Sequence, residues 1–262
     1  MRLFRLLPLA VLFFSLAAHA GSVPRTIPLL LREQTDEGKV KTMSCFKKNL
    51  LAYFEREMNI RFAVQYLPFR RAEQLMLKGE GLLWGMPAIP PEEDPGKEYL
   101  FSEPVYKSYA WMVVRKNFNT RIESINDLKG LKLSTFYGVS YSPEFEQQRG
   151  KLFTVEEEPD SGHSRLNKLL IGRVDVLLMH SRHTTAEALM KSSSKYLPEL
   201  NQLEILPHPL QEMQIRFALG RKALQPGNDW SRDLLADLNR AIARGQKTGA
   251  IQRIVSDSQP CS

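Results

Sequence analysis

Cysteine is scarce in this chain: two residues among 262, Cys45 and Cys261. So few thiols exclude a disulfide-dense mini-scaffold and leave no Cys-rich zinc framework. Two isolated cysteines in an exported chain suggest one bridge, Cys45–Cys261, with two free thiols as the alternative. Beyond residue 20 no apolar run has the length of a membrane span. Strong charge of one sign is missing too. The formal net charge is +7, with basic residues scattered among acids. The densest basic group, Lys39, Lys41, Lys47 and Lys48, has no interleaved aromatics, so no nucleic-acid partner is expected.

A complete nucleophile motif is also lacking. Gly138-Val139-Ser140-Tyr141-Ser142 misses the closing glycine of a nucleophile elbow, and no strand-bound Asp and His complete a triad. His180 and His183 stand three apart with His163 elsewhere, but no cysteine or well-placed carboxylate makes them a metal set. No cofactor, no metal and no enzymatic activity are expected. A dehydratase-like or lyase-like cleft enzyme built on Glu33 and His180 is the residual alternative.

What is present begins with a leader. Residues 1–20 carry Arg2 and Arg5, an apolar stretch from Leu6 to Leu16 and a small-residue site at Ala18-His19-Ala20. This is the layout of a signal peptide, so an exported, soluble chain is expected. After it, short apolar runs alternate with helical patterns. Strands are expected near 26–31, 61–67, 82–86, 105–114, 131–135, 152–155, 174–179 and 213–219. Helices are expected near 45–58, 69–78, 164–171, 184–191, 230–243 and 250–255, several of them stopped by glycine. That alternation implies an α/β fold, and in open α/β sheets ligands gather beyond the carboxyl ends of the strands. The loops after residues 31, 67, 86, 135 and 179 are therefore where chemistry is sought.

Three segments in register resemble one family. Phe101-Ser102-Glu103-Pro104-Val105-Tyr106 leads into Ala110–Val114, Ser124-Ile125-Asn126-Asp127-Leu128-Lys129-Gly130 is followed by Leu133 and Gly138, and Leu169–Leu177 reads LLIGRVDVL. Together they are similar to periplasmic solute-binding proteins of the type 2 fold, family 3, used by polar amino-acid importers. The resemblance implies a periplasmic location and a two-lobed clamshell, each lobe a mixed sheet flanked by helices. Lobe 1 would hold 21–108 and 212–262, lobe 2 would hold 109–211, and the hinge would lie near 105–113 and 208–216. A C-terminal helix on lobe 1 would make the Cys45–Cys261 bridge geometrically sensible.

The same resemblance implies a monomer that binds a small molecule and delivers it to ABC permease subunits, with an orphan sensor signalling to a membrane receptor as the alternative. In the family an Arg just before the Phe-Ser turn clamps a ligand carboxylate. Here Asp94-Pro95-Gly96 stands there, Lys97 offers only a point charge, and Arg70 or Arg71 are the substitutes. The family's ammonium-binding Asp is replaced by His180, which donates or accepts according to its protonation. Ser140 sits in the Gly-loop position at a helix start, with N-capping as its competing role. Trp84 could stack on a ligand or pack in the core, and Glu33 could meet a cationic group or stay solvated. The expected ligand is small, polar and anionic, not a standard α-amino acid.

Overall fold

The computed structural model describes residues 23–32, 35–36, 39–40, 43–88, 98–158, 162–193 and 201–256. The leader, Glu33, Asp94–Lys97 and Cys261 lie outside them. In chain order the elements are β1 (Arg25–Arg32), the small hairpin β2 (Thr35–Asp36) and β3 (Lys39–Val40), α1 (Cys45–Met58), β4 (Ile60–Leu67), α2 (Phe69–Leu77) and β5 (Leu82–Ala88). Next come β6 (Tyr99–Phe101), β7 (Tyr106–Arg115), β8 (Lys132–Phe136), α3 (Pro143–Gln148), β9 (Thr154–Glu158), α4 (Gly162–Leu170) and β10 (Val176–Ser181). The described chain ends with α5 (Ala186–Ser193), β11 (Leu203–Ile205), β12 (Gln211–Gly220), α6 (Leu234–Lys247) and α7 (Ala250–Ser256).

The strands run β4-β1-β5-β12-β7-β10-β8-β9, with β6 beside β12 and β11 beside β7. β1 pairs in parallel with β4 and β5, and β8 in parallel with β9 and β10. The inner strands β1, β8 and β10 carry the buried residues of these groups, while the outer strands β4 and β9 are largely exposed or half-buried. β7 and β12 join them. Tyr106–Ala110 pair antiparallel with Gln211–Ile215, and further along β7 Tyr109–Val113 pair with β10. Lobe 1 is here the part built on β1, β4 and β5; lobe 2 is the part built on β8, β9 and β10.

Each lobe has a core on both sides of its sheet. In lobe 1 the apolar period of α1 turns Leu50, Leu51 and Phe54 onto Ile27 and Leu29, where Leu238 and Ile242 of α6 join them. Asn59, in the left-handed region at φ 51°, ends α1. On the opposite face Ala72 and Met76 of α2 pack on Leu30, Leu83 and Ala218. Lobe 2 places Tyr141, Phe145 and Phe153 over Met112, Val176 and Leu178 on one face, and Leu166, Leu169 and Leu189 against Trp111 and Val113 on the other.

Two local expectations are corrected. The long C-terminal helix begins at Leu234, not near Trp230: Trp230 lies in a 3-10 turn, and Asp233 takes a left-handed φ of 55° before α6 starts. The disulfide expectation is withdrawn as a structural statement. No bridge joins two described residues, because Cys261 lies outside them and Cys45 alone, which is not a free thiol, opens α1. Among the described residues no helix is long and apolar enough to cross a membrane.

Candidate functional site

The carboxyl ends of β1, β4, β8 and β10 converge where the lobes meet. Arg32 closes β1, and its guanidinium carbon lies 5.9 Å from the ring centre of Phe69 in lobe 1 and 5.0 Å from that of Phe136 in lobe 2. Arg70, in the first turn of α2, crosses to Tyr137 at 4.6 Å. Phe69 also meets Gly138: a Cβ added there, at φ +76°, would stand 2.9 Å from the Phe69 ring. The two lobes are thus in contact along one seam of arginines and aromatic rings.

Behind that seam, lobe 2 holds a buried polar chain. The Thr135 hydroxyl bonds to the Tyr141 hydroxyl, which lies 2.8 Å from His180 Nε2. Arg165, almost wholly buried, bonds to Ser134 Oγ (3.2 Å), Ser134 O (3.0 Å) and Leu178 O (2.7 Å) and covers the Phe136 ring at 4.0 Å. Burial first, then the nearby charges of Arg165 and Arg32, pushes the His180 pKa down to about 3. The imidazole is therefore neutral at ordinary pH. Burial likewise pushes Tyr141 up to about 12, so its hydroxyl stays protonated.

The sequence-expected residues divide as follows. Arg70 and His180 come to the interlobe seam. Arg71 is exposed on α2, and Ser140 is exposed in the loop before α3. The capping role weighed for Ser140 is filled by Ser142, whose Oγ accepts from Phe145 N at 3.2 Å. Trp84 is 6% exposed, sits in the lobe 1 core and meets Phe217 edge-on at 4.7 Å. Glu33 lies outside the described residues. Arg32, Phe69 and Phe136 were not picked from the sequence, although three of the five strand-end loops singled out there contain them. The signal available was position: Arg32 and Phe136 are the last residues of β1 and β8, and Phe69 opens the helix that follows β4. Among the described residues no group of three or more His, Cys, Asp or Glu is placed to hold a metal ion.

The fold has close counterparts among solved structures. An amino acid ABC transporter substrate-binding protein, AbpA from Streptococcus pneumoniae bound to L-arginine, matches at TM-score 0.64 and 16% identity, over 89% of this chain and 94% of that one. A mutant of ArgBP from T. maritima matches at TM-score 0.63 and 19% identity, over 88% and 93%. The chain has the periplasmic-binding-protein type 2 fold. The GluR0 ligand-binding core from Nostoc punctiforme in complex with L-glutamate also matches, at TM-score 0.61 and 16% identity, over 87% and 96%. The solved structures of this fold matched here are described as binding proteins or ligand-binding domains, not enzymes. In sequence, the L-cystine-binding protein TcyJ of Escherichia coli K12 is 29% identical over 160 residues, 60% of this chain. The match spans about half the length of that relative. No family model matches the chain.

Proposed function

We propose that the chain is a periplasmic binding protein that takes a small polar, net anionic solute into its interlobe cleft and hands it to the permease of an ABC importer. Lobe 1 is 21–108 with 212–262, lobe 2 is 109–211, and β7 and β12 are the hinge. The observation that carries the reading is the seam itself. Arg32, Phe69 and Arg70 at the strand ends of lobe 1 face Phe136, Tyr137 and His180 at the strand ends of lobe 2, which is where an open α/β sheet gathers its ligand. Relatives described as binding amino acids or transporting them support the class of solute. The His180 imidazole, neutral and next to two guanidiniums, supports an anion over a cation.

Binding stabilises the native state by mass action, so a ligand at a hundredfold excess over its Kd adds about 2.7 kcal/mol. A thermal-shift screen of amino acids, small carboxylates and short peptides against the purified chain tests the reading. At least one of them raises the melting temperature in a saturable manner. A screen of these classes with no saturable shift removes the binding role.

A further inference from the structure

Lobe 2 holds a hydrogen-bond chain whose protons can be counted. The Thr135 hydroxyl meets the Tyr141 hydroxyl, which lies 2.8 Å from His180 Nε2. Thr135 is wholly buried and Tyr141 is 2% exposed, so neither hydroxyl has bulk water to turn to. Among the described residues these two contacts are the only hydrogen bonds of either hydroxyl. Tyr141 is itself fixed: its backbone N–H donates to Glu146 Oε1 at 2.8 Å, and its ring packs on Phe145 at 4.7 Å.

A neutral imidazole carries its proton on one nitrogen and accepts on the other. With the proton on Nε2, the chain would hold three donor protons for two bonds and leave one of them buried and unpaired, which is costly. With it on Nδ1, Thr135 donates to Tyr141, Tyr141 donates to Nε2, and each hydroxyl proton has its acceptor. Burial and the charges of Arg165 and Arg32 exclude the doubly protonated form at ordinary pH. Nδ1 has no hydrogen-bond partner among the described residues and is not enclosed by protein. It belongs to a half-buried side chain near the carboxyl end of β10, beside Phe136, where the lobes meet.

We propose that Tyr141 is a positioning residue of the cleft: its hydroxyl holds His180 as the Nδ1–H tautomer, so that lobe 2 presents an uncharged N–H donor to an acceptor oxygen of the solute. This rests on the binding reading above and deepens it by naming what sets the polarity of the contact. A solute group that only donates finds no acceptor at Nδ1, and Nε2 is already occupied by Tyr141. Specificity at this point of the cleft thus comes from a hydroxyl in the lobe 2 core, not from a charge on the imidazole.

The test is long-range proton–nitrogen correlation NMR of the purified chain with isotope-labelled histidine, at neutral pH. The His180 signals, assigned by their loss in His180→Gln, are expected to show a protonated Nδ1 and a bare Nε2. Tyr141→Phe is expected to move a measurable part of the proton to Nε2. Thr135→Val leaves Tyr141 as the donor, so it is expected to keep the wild-type signature. Acetate is expected to shift the Nδ1 proton signal, while methylammonium at equal concentration leaves it in place. In Tyr141→Phe acetate is expected to bind roughly fivefold more weakly. A proton found on Nε2 in the wild type overturns the inference, and that measurement needs no variant to fold. So does an unchanged tautomer in Tyr141→Phe, a signature lost equally in both variants, or an Nδ1 signal that acetate does not move. The tautomer is read without any solute, so the binding reading falls only if the wide screen above is empty.

Discussion

The guanidinium of Arg70, on the first turn of α2, lies 4.6 Å from the ring centre of Tyr137, which follows β8 in the other lobe. Sixty-seven positions separate them along the chain, so this contact exists only when the lobes are together. An exposed pair of this kind contributes about 0.5–1 kcal/mol. A double-mutant cycle with Arg70→Ala and Tyr137→Ala is expected to return a coupling of that size in urea unfolding. Additive losses with no coupling would show that the two residues do not touch in solution.

His180 sets a pH dependence whose sign follows from its depressed pKa. Between about 3 and the ordinary 6.5 the unfolded chain binds a proton that the folded chain refuses. The stability is therefore fully present above pH 6.5 and is lost as pH falls toward 3. From pH 6.5 to pH 5 the loss is on the order of 2 kcal/mol. His183 is also pushed down, by burial and then by Arg182, and acts in the same direction. Denaturant unfolding at pH 7.5 and pH 5 is expected to show a smaller drop for His180→Gln than for the wild type. An equal drop in both proteins would remove His180 as the source.

Trp84 is expected to behave as core. It packs with Phe217, which Phe54 also meets edge-on at 5.3 Å. Truncating a buried aromatic to alanine leaves a cavity and costs about 3–5 kcal/mol. Trp84→Ala should therefore lower the melting temperature strongly. A small melting change together with lost ligand affinity would place the indole at the ligand instead.

Gly220 ends β12 where a Cβ would stand 2.0 Å from the carbonyl oxygen of Met76. Backbone cannot retreat from such a contact cheaply, so Gly220→Ala should cost at least about 3 kcal/mol. Gly150→Ala is the control. Its φ of +76° is strained for alanine, but nothing lies within 4 Å of the added carbon, so about 1 kcal/mol is expected. Similar losses for the two variants would show that the Met76 approach is looser than described.

Much of the fold was legible because its signals are local. The apolar period of residues 46–58 produced α1, and the stretch 60–67 produced β4 with its first residue one position earlier than expected. Short elements were not legible. β6 covers three residues that end at the start of the Phe-Ser turn and β11 three more, and each is a strand only because β12 or β7 lies beside it. The strand at 154–158 was placed two residues early, since Leu152 and Phe153 are apolar for packing in the lobe 2 core with Phe145 of α3, and Phe153 makes only an isolated bridge with Arg149.

The order of strands and helices, and the rule that chemistry collects just past the strand ends, followed from the sequence by itself, because both depend on patterns spanning a few residues. Which side chains meet there was decided by tertiary structure. Phe136 and His180 are neighbours because β8 and β10 pair, and Arg32 joins them only because β7 and β12, about a hundred residues apart, pair and link the two halves of one sheet. Burial, with Arg165 from the same lobe and Arg32 from the other, holds His180 neutral, a property that depends on its neighbours in space.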